Sequence, residues 1–148
     1  MPPKVSSWRP PSAIAKKGSP QATFHVTPAD TIPFVKTTSI DAITIILALQ
    51  NIENVDGVLA ECARVLKPHG RVLIVLNHPA FRVPKYSSWG WEGSVVQYRR
   101  VDTYLSQSRT AIAMHPGIEQ SPTTISFHRP LQFYFKSFAK QGFVVTRL

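Results

Sequence analysis

"IDAITIILALQNIENVDGVLAECARVLKPHGRVLIVLN", residues 40–77, decides the fold. Its first part, Ile40 to Leu49, is apolar and β-branched on both faces, which reads as a strand buried on both sides. "QNIEN" then turns the chain. From Val55 the period changes. Val55, Val58, Leu59, Cys62, Val65 and Leu66 fall on one stripe of a 3.6-residue repeat, so residues 55–66 are predicted to be a helix. Asn54 suits the N-cap, and Asp56 lies where the helix dipole favours an acid. Pro68 ends the helix and Gly70 frees the chain to turn, while Gly57 inside it costs about 1 kcal/mol against Ala. "RVLIVLN" is then a second doubly buried strand. Two parallel strands need a crossover of about a dozen residues, and this helix supplies it. The unit is βαβ and the class is α/β. Ligands of open α/β sheets bind beyond the carboxyl ends of the strands. "LQN" after the first strand and "NHP" after the second both fall on that rim.

Working outward, "ATFHV" (residues 22–26) reads as a short strand and "TPADTIPF" as a loop. Downstream, "SSWGWEG" reads as a loop. "VVQYRRVDTYL" and "RTAIAMH" are expected to pair as antiparallel strands across "SQS", with "TTISF" a third. Residues 131–141 return to helix, with Leu131, Tyr134, Phe135, Phe138 and Ala139 on its apolar face. Pro130 suits the first helical position and Gly142 the stop. "FVVTRL" is expected to be a terminal strand. Residues 1–20, rich in Pro, Ser and Lys, read as a disordered basic leader ahead of one domain over 21–148.

The totals narrow the function classes. The chain has 148 residues and a net charge of +9, which raises the question of an anionic partner. Its basic residues are scattered rather than blocked, which argues against nucleic acid. Cys62 is the only cysteine, so neither an intrachain disulfide nor a Cys-rich metal site is available. The histidines His78, His115 and His128 lack metal-ligand spacing, and no metal is expected. The longest apolar run, Ala42 to Leu49, is far short of the roughly 20 residues that span a bilayer. A cytoplasmic location is expected, without a membrane partner.

Placed on this pattern, "ADTIPF…SIDAITIILALQNIENVDGVLAECARVLKPHGRVLIV" resembles the second half of a class I S-adenosylmethionine-dependent methyltransferase of the type-11 group. The Leu-Lys-Pro-X-Gly junction carries most of the resemblance, with His69 where the group usually has glycine. "FHRPLQFYFKSFAKQGF" is similar to the helix before that group's last hairpin. The resemblance implies a partial Rossmann-like sheet with helices on both faces and an antiparallel substrate-cover insertion. It implies S-adenosylmethionine as cofactor and a small-molecule methyl acceptor. Asp30, flanked by Ala29 and Thr31, matches the acid that accepts from the adenine amine; the alternative is a surface turn acid. Ala48, Leu49 and Gln50 match the segment beside the cofactor's methionine part. The group's Gly-x-Gly-x-Gly loop has no counterpart among the seven glycines. The chain is therefore expected to be a truncated, C-terminal portion whose first buried strand has an open edge. Self-association, a missing N-terminal half, or a non-catalytic module pairing through that edge follow as further expectations.

Methyl transfer needs an acceptor held in line with the methyl group and often a base. Asn77 and His78 sit on the rim, and His78 has a base's pKa range. The alternative for His78 is a turn histidine bonded to backbone. Tyr98, Arg99, Arg100, Tyr104, His128 and Arg129 are the substrate-side candidates, since arginines beside aromatics suit an acidic or planar acceptor. Their alternative is an edge hairpin with solvated Arg and packed Tyr.

Overall fold

Two apolar segments and the helix between them form the centre of the molecule. The computed structural model describes residues 22–81, 83–115, 117–119 and 121–148. The expected leader lies outside them. Strand β1 (Ile40–Ile46) pairs in parallel with β2 (Leu66–Val75). Helix α1 (Val55–Val65) crosses between them, after a short 3-10 turn at Leu49–Asn51. The helix ends one residue earlier than its apolar stripe, because Leu66 already has extended backbone. Asn54 caps it: its side chain accepts from the Gly57 N–H at 3.0 Å. A Cβ at position 57 would lie 2.3 Å from Asn54 Nδ2, so the glycine makes room for the cap. The propensity cost of Gly57 is thus offset locally, since a good cap contributes about 1 kcal/mol.

The strand pair carries one irregularity. Ile40 pairs with Leu66, but Ala42 pairs with Arg71, so Lys67–Gly70 loop out opposite Asp41. Lys67 Nζ reaches Asp41 at 2.8 Å across the loop. His69 adopts φ +64, the left-handed region that glycine occupies without penalty. Gly70 is held to glycine by space, because a Cβ there would meet the Lys67 carbonyl at 2.9 Å.

Leu49, Val55, Val58, Leu59, Cys62 and Tyr134 form the core, with Ile43, Ile45 and Ile74 packed on it. Burying each such side chain contributes roughly 1.5–3 kcal/mol. The exposed Lys67–Asp41 and Lys140–Asp56 pairs count for about 0–1 kcal/mol each. Packing therefore decides the arrangement. The double burial expected of the two strands is not observed. The alternate residues Ile46, Leu73 and Val75 stay exposed, because α1 and the C-terminal helix α2 (Leu131–Lys140) contribute to the same core, on the Ile43 and Ile74 side.

The later segments pair differently from the expectation. β3 (Ser87–Glu92) and β4 (Val96–Val101) form one antiparallel hairpin; β5 (Ser108–Ala113) and β6 (Thr123–His128) form another. "SSWGWE" is thus a strand rather than a loop. Gly93 at φ +60 opens the three-residue connection from Glu92 to Val96, a turn that suits a hairpin. Residues 22–26 and 143–148 are not strands; Val26, Val144 and Leu148 are exposed and have no ladder partner among the described residues. Helix α2 turns Tyr134 and Ser137 inward, with Phe133 and Phe138 against the core, while Phe135 and Ala139 face out. Pro130 is its N-cap rather than its first residue. Gly142 at φ +78 closes it: Gly142 N–H donates to Ala139 O and Phe143 N–H to Phe138 O, a Schellman arrangement.

The loop before β1 is held to α1 by Glu61 and Arg64. Glu61 Oε1 accepts from the Ile32 N–H at 2.9 Å, Oε2 accepts from Arg64 Nε at 2.8 Å, and Arg64 Nη2 donates to Ile32 O at 3.2 Å. The Arg64 hydrogen bond first, and then the Ile32 N–H, hold the Glu61 carboxyl at about 2 instead of 4.5. A depressed carboxyl contributes stability above its unfolded value and loses it as pH falls through the folded one. Glu61→Gln is expected to lower stability at pH 7 and to flatten its decline between about 4.5 and about 2. Denaturant titrations across that range measure this; identical acid profiles for the two proteins would contradict it.

Candidate functional site

The carboxyl ends of β1 and β2 open on the same side, as a parallel pair requires. The Leu49–Asn51 turn follows the first and Asn77–Pro79 the second. Strand β6 runs close to the Leu49–Asn51 turn and brings the β5–β6 hairpin over this rim. The half-open cavity between them has a volume of about 280 Å³. Its polar lining comes from Gln50, Asn51, Asn77, Ser126, His128 and Arg129, with Tyr134 entering from α2. Pro79, Ile112 and Phe127 give it apolar walls. A shallower depression of about 340 Å³ lies beyond it and shares Phe127, His128 and Arg129.

Of the two rim candidates, Asn77 lines the cavity and His78 does not. His78 is exposed, its Nδ1 accepts from the Ala80 N–H at 3.2 Å, and its ring lies 5.1 Å from Phe81. That is the turn-histidine geometry. His128 occupies the wall instead, 4% exposed, with Nε2 2.8 Å from Tyr104 O. A carbonyl only accepts, so Nε2 carries the proton and Nδ1 is the acceptor of the neutral ring.

Arg129 is 5% exposed and deeply tethered. Its Nη2 donates to Glu53 O at 2.7 Å, and the rings of Phe127 and Phe133 lie 4.8 and 5.3 Å from its guanidinium carbon. Burial pushes the Tyr134 hydroxyl up, and the nearby Arg129 charge pulls it partly back. Tyr104 does not line the cavity. It acts at the entry to α2, where its hydroxyl accepts from the Leu131 N–H at 3.0 Å and replaces the cap that Pro130 cannot give.

Tyr98, Arg99 and Arg100 stand apart on the β3–β4 hairpin. The Tyr98 ring covers Gly90, where a Cβ would come within 2.4 Å of it. Arg99 lies 5.1 Å over Trp89 and donates to Ser87 Oγ, while Arg100 Nε pairs with Asp102 at 3.1 Å. None of the three lines the cavity.

The cofactor-side candidates separate by burial. Leu49 is 0% exposed, so its side chain belongs to the core and only its backbone remains for a ligand. Ala48 is exposed, and Gln50 lines the cavity. Asp30 sits in the 28–31 turn between exposed Ala29 and Thr31, and its Oδ2 accepts from Asn54 Nδ2 at 2.8 Å. This bond ties the turn to the start of α1, and Asp30 keeps a second carboxylate oxygen for an amine. The described residues thus fit the amine-facing side of a nucleoside and the segment beyond β1, and they contain no Gly-x-Gly cradle. No three His, Cys, Asp or Glu among them cluster as metal ligands, and none of their helices is long and apolar enough to cross a membrane. The sequence reading placed Asn51 on the rim but missed Ser126 and Tyr134. Tyr134 had a signal, a hydroxyl inside an apolar helix stripe.

Comparison with known proteins agrees with this geometry. Residues 7–74 match the family model described as a methyltransferase domain. The chain is 38% identical over 69 residues to a demethylmenaquinone methyltransferase of Streptomyces avermitilis, covering 46% of this chain and 29% of that protein. It is 41% identical over 66 residues to the protein of the same name in Tropheryma whipplei, covering 43% and 27%. The match therefore spans less than a third of the length of these curated relatives. Among solved structures, an S-adenosylmethionine-dependent methyltransferase of Mesorhizobium loti superposes with a TM-score of 0.74 at 19% identity, over 92% of this chain and 60% of that one. A Listeria monocytogenes structure described as a candidate for the same activity gives 0.70 at 19% identity, over 88% and 60%. The resemblance read from the Leu-Lys-Pro-X-Gly junction is borne out: this is an α/β, partial Rossmann-like chain with the class I methyltransferase fold.

The Asp30–Asn54 bond is expected to couple two single losses. Asp30→Ala and Asn54→Ala should each destabilise, and a double-mutant cycle should return a coupling of about 0.5–1 kcal/mol. Additive losses in urea unfolding would show that the turn and the cap act independently.

Proposed function

We propose that this chain, built on the class I methyltransferase fold, acts in S-adenosylmethionine-dependent methylation of a small-molecule acceptor held in the rim cavity. The observation that carries the reading is the cavity's place, at the carboxyl ends of two parallel strands with a β-hairpin over it. A volume of about 280 Å³ suits a small acceptor and no polymer. The names of the curated relatives add a quinone-type ring as one candidate of that size. The cofactor supplies an electrophilic methyl group when bound. Asp30 would accept from its adenine amine, and the backbone of Ala48–Gln50 would pass its methionine part. Asn77 and Gln50 would orient the acceptor. His128, with Nδ1 as its acceptor nitrogen, would take the acceptor's proton, the role assigned to His78 from sequence. A cytoplasmic location belongs to the same proposal.

Calorimetry with S-adenosylhomocysteine tests the cofactor half. Binding in the micromolar to millimolar range is expected, weakened by about tenfold in Asp30→Ala, the effect of losing one good hydrogen bond to a charged group. No heat at millimolar ligand would remove autonomous cofactor binding.

A second reading has its own observation. β1 and β2 form a two-stranded sheet, and Ile46 and Leu73 on its bare face are 60% and 59% exposed. Such a face with an open strand edge is a template for another chain. On this reading the protein is an interaction module, with or without catalysis, and self-associates or pairs with a separate chain. Light scattering at rising concentration is expected to show oligomers; a monodisperse monomer throughout would end it.

A further inference from the structure

We infer that Arg129 is the anion anchor of the rim cavity and that the cavity's occupant is a small organic carboxylate bearing a neighbouring hydroxyl. This rests on the reading of the cavity as an acceptor site and names the acceptor's chemistry.

The first observation is a buried charge with an unfilled position. Arg129 Nη2 is committed to the Glu53 carbonyl, while Nη1 is buried and has no hydrogen-bond partner among the described residues. Among the described residues no carboxylate lies within ion-pair distance of Arg129. A guanidinium out of water without a counter-charge is strongly disfavoured. The fold nevertheless holds it firmly, with Phe127 and Phe133 beside it and a backbone carbonyl at one edge. A planar fork fixed on one side presents a defined direction on the other, which suits a planar carboxylate better than a freely tumbling ion. The Tyr134 hydroxyl, also in the lining, lies beside the guanidinium; burial pushes its ionisation up, and the guanidinium's charge and hydrogen bonding pull it partly back. Its own proton remains a second donor, and Nη1 stays without a partner among the described residues.

The second observation is Gln50. Its Nε2 donates to Leu47 O at 2.9 Å, which fixes the amide's orientation. Its Oε1 is buried and has no partner among the described residues. An unmatched acceptor in the same lining as an unmatched cation calls for a ligand with both an anionic oxygen and a donor. A hydroxyl ortho to a carboxylate meets both needs. The apolar walls at Pro79, Ile112 and Phe127 favour a ring over a small inorganic anion.

The test needs no cofactor, so its failure and the failure of cofactor binding are separate results. Benzoate, salicylate and benzamide are titrated into the full chain and followed by calorimetry and by NMR shifts of the cavity residues. Salicylate is expected to bind best, and benzoate about tenfold tighter than its uncharged match benzamide. Arg129→Gln should bring the three to the same weak affinity, and Arg129→Lys should keep part of the preference. Gln50→Glu adds a carboxylate to the same lining and should weaken benzoate binding by about tenfold or more while preserving cooperative unfolding. If Arg129→Gln does not fold, the wild-type series and Gln50→Glu decide. Equal binding of benzoate and benzamide would overturn the inference. So would a carboxylate preference that survives Arg129→Gln, or no binding at millimolar ligand.

Discussion

Parallel strands cannot be joined by a tight turn, and that one constraint organises this molecule. To lie beside β1 in the same direction, β2 must begin after the chain has returned to the starting edge. Helix α1 makes the return and buries Val55, Val58, Leu59 and Cys62 against Ile43, Ile45 and Ile74 on the way. Because both strands then finish at one end, their exits face a common space. The cavity, the Asn54 cap and the Asp30 turn all lie on or beside the segments that leave that end.

Site and scaffold share residues along a short stretch. Leu49 is core while its neighbour Gln50 lines the cavity. Glu53 lends its carbonyl to Arg129, and Asn54 both caps α1 and holds Asp30. A rigid scaffold thereby fixes the backbone from which functional side chains project, the usual requirement for a well-defined site. The second hairpin, β5–β6, forms one wall of the cavity, with His128 tied to Tyr104 and Tyr104 tied in turn to the first turn of α2.

Much of this was legible in the sequence where the signal is periodic and local. The β1–α1–β2 unit, the Asn54 cap, the Gly142 stop and the common rim of the two strand exits follow from hydrophobic spacing and end signals. The hairpin pairing did not, because Trp89 and Trp91 alternate with small residues in a stretch whose Gly and Ser look like a loop. The strand is revealed only by its partner, Val96–Val101. Residues 143–148 have strand-like composition but no ladder, and composition alone cannot supply a partner. His78 looked like a base from its position after β2, yet its ring satisfies the local backbone. Arg129 was named among the substrate-side residues, but its burial could not be read. That burial depends on Glu53, 76 residues away, and on two aromatic rings that the fold brings to it.

Cys62 gives the core a built-in clock. It is the chain's single thiol and packs within the core cluster, and burial pushes its ionisation up. A sulfur so placed reacts only when the core lets reagent in, since the thiolate is the nucleophile and needs access. Fraying at the termini or in the outer hairpins leaves it protected. The pace at which a maleimide or disulfide reagent labels this protein therefore reports the opening of the β1–α1–β2 unit itself.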